Sequence, residues 1–214
     1  AIGNQNVVKG EQANAIGDGN DAYGHFTQSV GDDNKVYADH SLGFGAHNKV
    51  GAQRVTGTPE KDVVVDKNTS KASVFGLNNV VLGKEVLALG NNNNVNGENS
   101  TAIGTQSTAD GLNALAIGVG AKAHVTNPAA ANSNKPGNLV AIGTSAEATA
   151  AETVAIGESA KALKANANAF GSKSLAGGES SLAVGSGAQA KEDSSVAIGN
   201  DSNATAKSSV AVGE

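Results

Sequence analysis

The chain has no cysteine, no methionine and no tryptophan, and it has only three prolines. Without cysteine there are no disulfides and no thiolate metal sites, which suits a chain that crosses an oxidising space unfolded without becoming cross-linked. Large apolar residues are scarce too. Ile, Val, Leu and Phe together number 44 of 214 residues, near the composition at which disorder becomes the default. Tyr23 and Tyr37 are the only tyrosines. The 28 glycines do not fall at every third position, which excludes a collagen helix. Charge of one sign is never concentrated: the net charge is −5 and no long run of like charge occurs, so nucleic acid is not an expected partner. No apolar stretch approaches the roughly twenty residues of a membrane helix, and no charged-then-apolar leader opens the chain. If this composition is to give an ordered protein, order must come from pattern.

The pattern is a repeat. A glycine after an apolar residue stands at 3, 17, 31, 45, 76, 90, 104, 118, 143, 157, 171, 185, 199 and 213, and eleven of the thirteen intervals between these markers are fourteen residues. The exceptions, 31 and 25 residues, are inserts in an otherwise strict register. Both ends of the chain cut into the repeat, which suggests a fragment of a longer protein. Before each marker the chain alternates, as in Val196, Ala197, Ile198 and Leu182, Ala183, Val184, and such alternation with β-branched residues reads as a short strand. A second, smaller alternating pair follows three and five residues after the marker, as in Asn34 and Val36 or Ala160 and Ala162. A second glycine recurs seven residues after the marker, at Gly10, Gly24, Gly83, Gly97, Gly111 and Gly178, where a turn of positive φ is expected. Each unit is then strand, turn, strand, turn. The expected fold is all-β: a parallel β-roll, or solenoid, of fourteen-residue coils about 4.8 Å apart, stacking into a rod of roughly 60 to 70 Å. A disordered repeat offers no reason to keep bulky and small positions in phase.

Two side-chain columns refine this picture. Ile or Val of each marker should stack above its counterpart as core. The residue just before it is small in nearly every coil, from Ala15 through Ala155 and Ala183 to Ala211, and is broken only by Val74. A solvent-facing column would carry Thr, Lys or Glu, so this second face is also expected to be packed, with sister chains against it. Such burial is wanted, because ordering fourteen residues is costly and one thin coil buries little. Asn6, Asn20, Asn34, Asn48, Asn79 and Asn93 share the third position after the marker, and a hydrogen-bonded Asn ladder is expected there.

Units such as "SSVAIGNDSNATAKSSVAVG" and "NSTAIGTQS" resemble the YadA-like head domains of trimeric autotransporter adhesins. The resemblance covers nearly the whole chain apart from the inserts. It implies a left-handed roll, three chains about one axis, and a coiled-coil stalk with a β-barrel anchor in a Gram-negative outer membrane. Neck, stalk and anchor are absent here, so a location on the extracellular face of the outer membrane is inherited from the resemblance. It implies attachment, in virulence, to host extracellular matrix or epithelial surface proteins, with membrane contact only through the missing anchor.

Residues 1–214 thus read as one head fragment with inserts at about 53–71 and 124–138. The inserts hold all three prolines and the only arginine, as projecting loops do. The longer one, with Arg54, Lys61 and the run Val63, Val64, Val65, reads as a hairpin that either lies on a neighbouring subunit or binds a ligand. The shorter one reads as a solvated loop. Tyr23 and Tyr37, each six residues after a marker and near His25 and Phe26, should stack on adjacent coils, either as an exposed contact patch or as a cover for the end of the roll. No catalytic, cofactor or metal site is expected. The four histidines hold no repeat position, and "GDGND" is a weak likeness of a calcium loop. The acyltransferase β-helices need a six-residue period, and fourteen is not a multiple of six. Two other readings are a non-binding spacer in a surface fibre and an ice-binding solenoid. The latter needs a flat array of threonines, and the threonines here scatter.

Overall fold

A computed structural model of the chain describes residues 1–54, 63–65, 69–125 and 137–214. They form two compact units, Ala1–Thr105 and Gln106–Glu214, and in both the period folds into the same coil. Each coil gives one strand to a marker sheet and a shorter strand to a second sheet. In the first unit the marker sheet runs from Ile2–Asn4 and Asn14–Asp18 to Thr101–Thr105, and the second sheet from Val7–Val8 and Asp21–Ala22 to Asn94–Val95. In the second unit the marker sheet runs from Leu115–Ile117 to Val210–Val212, and the second sheet from Thr108–Asp110 to Asn203–Ala204. All these pairings are parallel, and each residue lies over its counterpart one repeat away: Ile16 over Val30, Val30 over Phe44. This is a parallel β-solenoid of fourteen-residue coils, as the period predicts.

Neither insert shifts the register. Phe44 pairs with Phe75 and Gly45 with Gly76 across the first, and Ile117 with Ile142 across the second. The first insert contains an antiparallel hairpin, Ala52–Arg54 with Val63–Val65, as its valine run suggests. It is shorter than 53–71, because Ser70 already bridges Asp39 and Lys84 in the ladder. Likewise Lys122–His124 pairs with Thr108–Asp110, and the Asn138 N–H donates to the Leu112 carbonyl at 2.8 Å, so both ends of the expected 124–138 loop belong to the coils.

The core lies between the two sheets of each coil, and here the structure corrects the assignment of faces. The small column, Ala15, Ala88, Ala102, Ala116, Ala141, Ala155 and Ala183, is fully buried within one chain and faces the second sheet: a Cβ on Gly43 would meet Val36 and Val50. The marker side chains point the other way. Ile16 is 42 % exposed, Leu89 45 % and Ile198 38 %. The reason is width. In the second unit Ala116, Ala141 and Ala155 share the interior with Ala123, Ala148 and Ala162, all buried, and two bulky columns would force the sheets apart. Sister chains therefore have no access to the alanines; the outward marker face is the one left open.

Glycine placement is corrected as well. Gly10, Gly24 and Gly83 have ordinary φ. They are small because the next coil is close: a Cβ on Gly24 would strike the Ala38 carbonyl. Positive φ falls instead on the markers, such as Gly17 at 123°, and on side-chain-bearing residues two and nine places later, such as Asp33 at 47° and His40 at 55°.

Candidate functional site

Each coil offers three surfaces: the marker face, the outer face of the second sheet, and the turns. On the marker face alternation exposes the marker residue and the residue two places before it. In the second unit these are Leu115 and Ile117, Val140 and Ile142, Val154 and Ile156, Leu182 and Val184, and Val196 and Ile198, with Asn168 the polar interruption. In the first unit polar residues alternate in, among them Asn14, Gln28, Ser73 and Thr101, while Phe44 and Phe75 stack with centroids 5.4 Å apart. Two half-exposed apolar columns on a regular sheet form the kind of continuous patch that marks an interaction surface.

The outer face of the second sheet is polar. Parallel stacking puts side chains one repeat apart in contact, and opposite charges pair there: Lys35 with Asp21 at 3.4 Å and Lys161 with Glu147 at 3.5 Å. On the turns Lys71 meets Glu85 at 2.7 Å. Lys35 also reaches Asp33 at 3.4 Å. Partial burial works against its charge, yet Asp21 and Asp33 outweigh that and raise its pKa. The Tyr37 hydroxyl donates to Asp21 at 3.4 Å. Burial first, then the Asp21 carboxylate, pushes this phenol well above its ordinary range.

Tyr23 and Tyr37 do stack, with centroids 4.8 Å apart and planes at 24°. Both are half-buried, and Lys9 sits over the Tyr23 ring at 4.6 Å. Gly51 follows Tyr37 in this column, and the hairpin departs directly after it. In the hairpin Arg54 pairs with Val63, Gln53 with Val64 and Ala52 with Val65, while Lys61 lies outside the described residues. The structure thus brings Tyr23 and Tyr37 together, and Arg54 with Val63. Sequence reading missed Lys9, Asp21 and Lys35 as members of the tyrosine neighbourhood. The signal was available: Lys9 shares the sixth position with the tyrosines, and Asp21 and Lys35 share the fourth.

On the turns Phe26 stacks on His40, with centroids 4.9 Å apart and planes at 14°. His47 pairs with Asp33 at 3.2 Å. Among the described residues no group of three or more His, Cys, Asp or Glu could hold a metal ion.

In comparisons with known proteins, the YadA head domain repeat (2 copies) matches residues 83–107, 96–121, 109–127, 140–160, 176–202 and 190–213. No curated protein matches the chain. The matched stretches coincide with coils whose register, buried alanines and outward Val or Ile are described above. The repeat belongs to cell-surface trimeric autotransporter adhesins and is a structural domain of adhesins, not an enzyme family. Over these segments the chain is similar to the YadA head domain repeat, consistent with a YadA-like head domain.

Proposed function

We propose that the chain is the binding head of a bacterial adhesin, displayed outside the outer membrane, that attaches to host extracellular matrix or epithelial surface proteins as a homotrimer. The match to the adhesin head repeat carries this reading. The 214 residues act as one head fragment, its coils supplying the shaft and its inserts and turns the contacts. The half-exposed apolar columns of the marker face favour assembly of three chains through that face, with the charged second sheet left to water. Contacts come from Tyr23 and Tyr37 and from the hairpin insert, with Arg54, Lys61, Val63, Val64 and Val65. Three copies about an axis, and many molecules per cell, let weak single contacts sum to firm attachment.

The test removes the insert without disturbing the roll. Deleting residues 52–68 takes seventeen residues from the 31-residue interval, restores fourteen, and joins Gly51 to Thr69 in register. The shortened protein should keep its melting behaviour and lose attachment to a panel of matrix proteins and epithelial cells. Unchanged attachment would move the contacts to the turns, and no attachment by either protein would make the fragment a spacer.

A further inference from the structure

The residue five places before each marker from Gly17 to Gly104 is left-handed: Gln12, Phe26, His40, Lys71, Glu85 and Asn99, with φ between 53° and 56°. In the second unit the same place holds Asn113, Asn138, Glu152, Asn166, Ser180, Ser194 and Ser208. Phe26 departs from this series. A bulky side chain at positive φ is strained, and Phe26 leaves 46 % of its surface in water. Asn, Ser and Glu make the same turn elsewhere, so the fold has no need of phenylalanine here. An exposed, strained, apolar residue among polar counterparts is explained by contact with something outside the chain.

We propose that this edge is a carbohydrate site, in which a pyranose ring packs against the exposed part of the Phe26 ring. The proposal rests on the adhesin reading and names a ligand class for it. His40 covers one face of Phe26, and on the other side the preceding coil brings Gln12, not a ring, to the same position. Polar groups with spare capacity surround it. The Phe26 N–H donates to the Glu11 carbonyl at 2.8 Å, and the Glu11 carboxylate, its side chain 83 % exposed, lies 3.9 Å from His25 Nδ1. His25 accepts the Glu11 N–H on Nδ1 at 3.3 Å, leaving Nε2 for a ligand. Asp39 accepts the His25 N–H on Oδ1 at 2.8 Å, leaving its second oxygen. Three positions earlier on the same coils stands the Tyr23–Tyr37 stack with Lys9 over it.

Ring carbon for C–H groups, with carboxylate, imidazole and amide for hydroxyls, suits a sugar. Size points the same way. His25 and Phe26 on one coil and Asp39 and His40 on the next give a cluster of the dimensions of one or two sugar residues, with coils about 5 Å apart. These coils also precede residue 83, where the matched family segments begin.

The test compares the full chain with Phe26→Asn and Phe26→Ser, both residue types found at this place in other coils. Probes are immobilised neutral oligosaccharides ending in galactose, N-acetylglucosamine or fucose, and epithelial cells before and after glycosidase treatment. The wild type should be retained by at least one oligosaccharide and both variants weakened about tenfold or more, with melting temperatures equal to or above the wild type's. Glycosidase treatment should reduce cell attachment. A wild type that binds none of the oligosaccharides, or variants that bind as well as it does, would overturn the proposal. Equal attachment to treated and untreated cells would overturn it while leaving the adhesin reading intact, whereas no attachment to any cell or matrix protein overturns that reading too.

Discussion

Asn34 donates from Nδ2 to Oδ1 of Asn20 at 3.0 Å, linking the interiors of two successive coils. The same amide group donates to the Gly45 carbonyl of the next coil at 2.8 Å, and the Asn34 N–H reaches Asn20 Oδ1 at 3.2 Å. Asn48 repeats this toward Asn34, and Asn79 toward Asn48 across the insert. Each buried amide in this run is thereby satisfied, which lets a chain poor in large apolar residues carry polar groups in its core.

Asn34→Ala should therefore cost more than its lost volume. It takes the Nδ2 donor from the Gly45 carbonyl and the Oδ1 acceptor from the Asn48 N–H, a loss of about 1–3 kcal/mol per orphaned buried group, while Asn20 Oδ1 keeps the Asn34 N–H and the Ser29 hydroxyl. Asn34→Asp should be worse, because it sets a buried carboxylate against two acceptor oxygens, the Gly45 carbonyl and Asn20 Oδ1. Chemical denaturation checks both; stability equal to the wild type's would mean that the ladder is decorative.

Ala155→Glu should prevent its coil from closing, since Ala155 is buried between the two sheets of one chain. Lys161→Glu, on the exposed polar face, should leave the fold intact, replacing the pair with Glu147 by an exposed like-charge contact that costs about 1 kcal/mol. Circular dichroism separates them: β-signal and cooperative melting should fall in the first variant only.

Alkaline pH should loosen the first coils. The native pKa of Tyr37 lies above its ordinary 10.0, through burial first and then Asp21. That of Lys35 is also raised, Asp21 and Asp33 outweighing the opposing effect of burial. Both groups hold their protons more tightly folded than unfolded. Their stabilisation is complete below about pH 10 and is lost as pH rises through the native values. Melting temperature should thus decline above pH 10, and less steeply in Tyr37→Phe.

Much of this was legible in the sequence. Fourteen-residue spacing of the markers yields the coil and the register, and the stacking of Asn20 with Asn34 and of Tyr23 with Tyr37 follows from that register alone. Which strand face is interior was not legible. Alternation says that Ala155 and Ile156 point opposite ways, but not which way is in. The usual rule that larger apolar residues are core fails where two sheets lie too close for anything larger than alanine on both. Turn geometry was hidden for a related reason. Ladder hydrogen bonds hold Asp33 and Phe26 left-handed although neither is glycine, so glycine marked close approach instead. The pairing of Lys35 with both Asp21 and Asp33 needs side-chain reach that spacing does not supply.

The proposed homotrimer through the marker face is tested most directly by sedimentation equilibrium of the wild type and Ile156→Asp at micromolar concentration. Ile156 lies on the half-exposed marker face beside buried Ala155. The account predicts about three times the 21.0 kDa of one chain for the wild type, and a well-folded but dissociated Ile156→Asp. A wild type of 21.0 kDa, or a trimer that Ile156→Asp leaves intact, would contradict it.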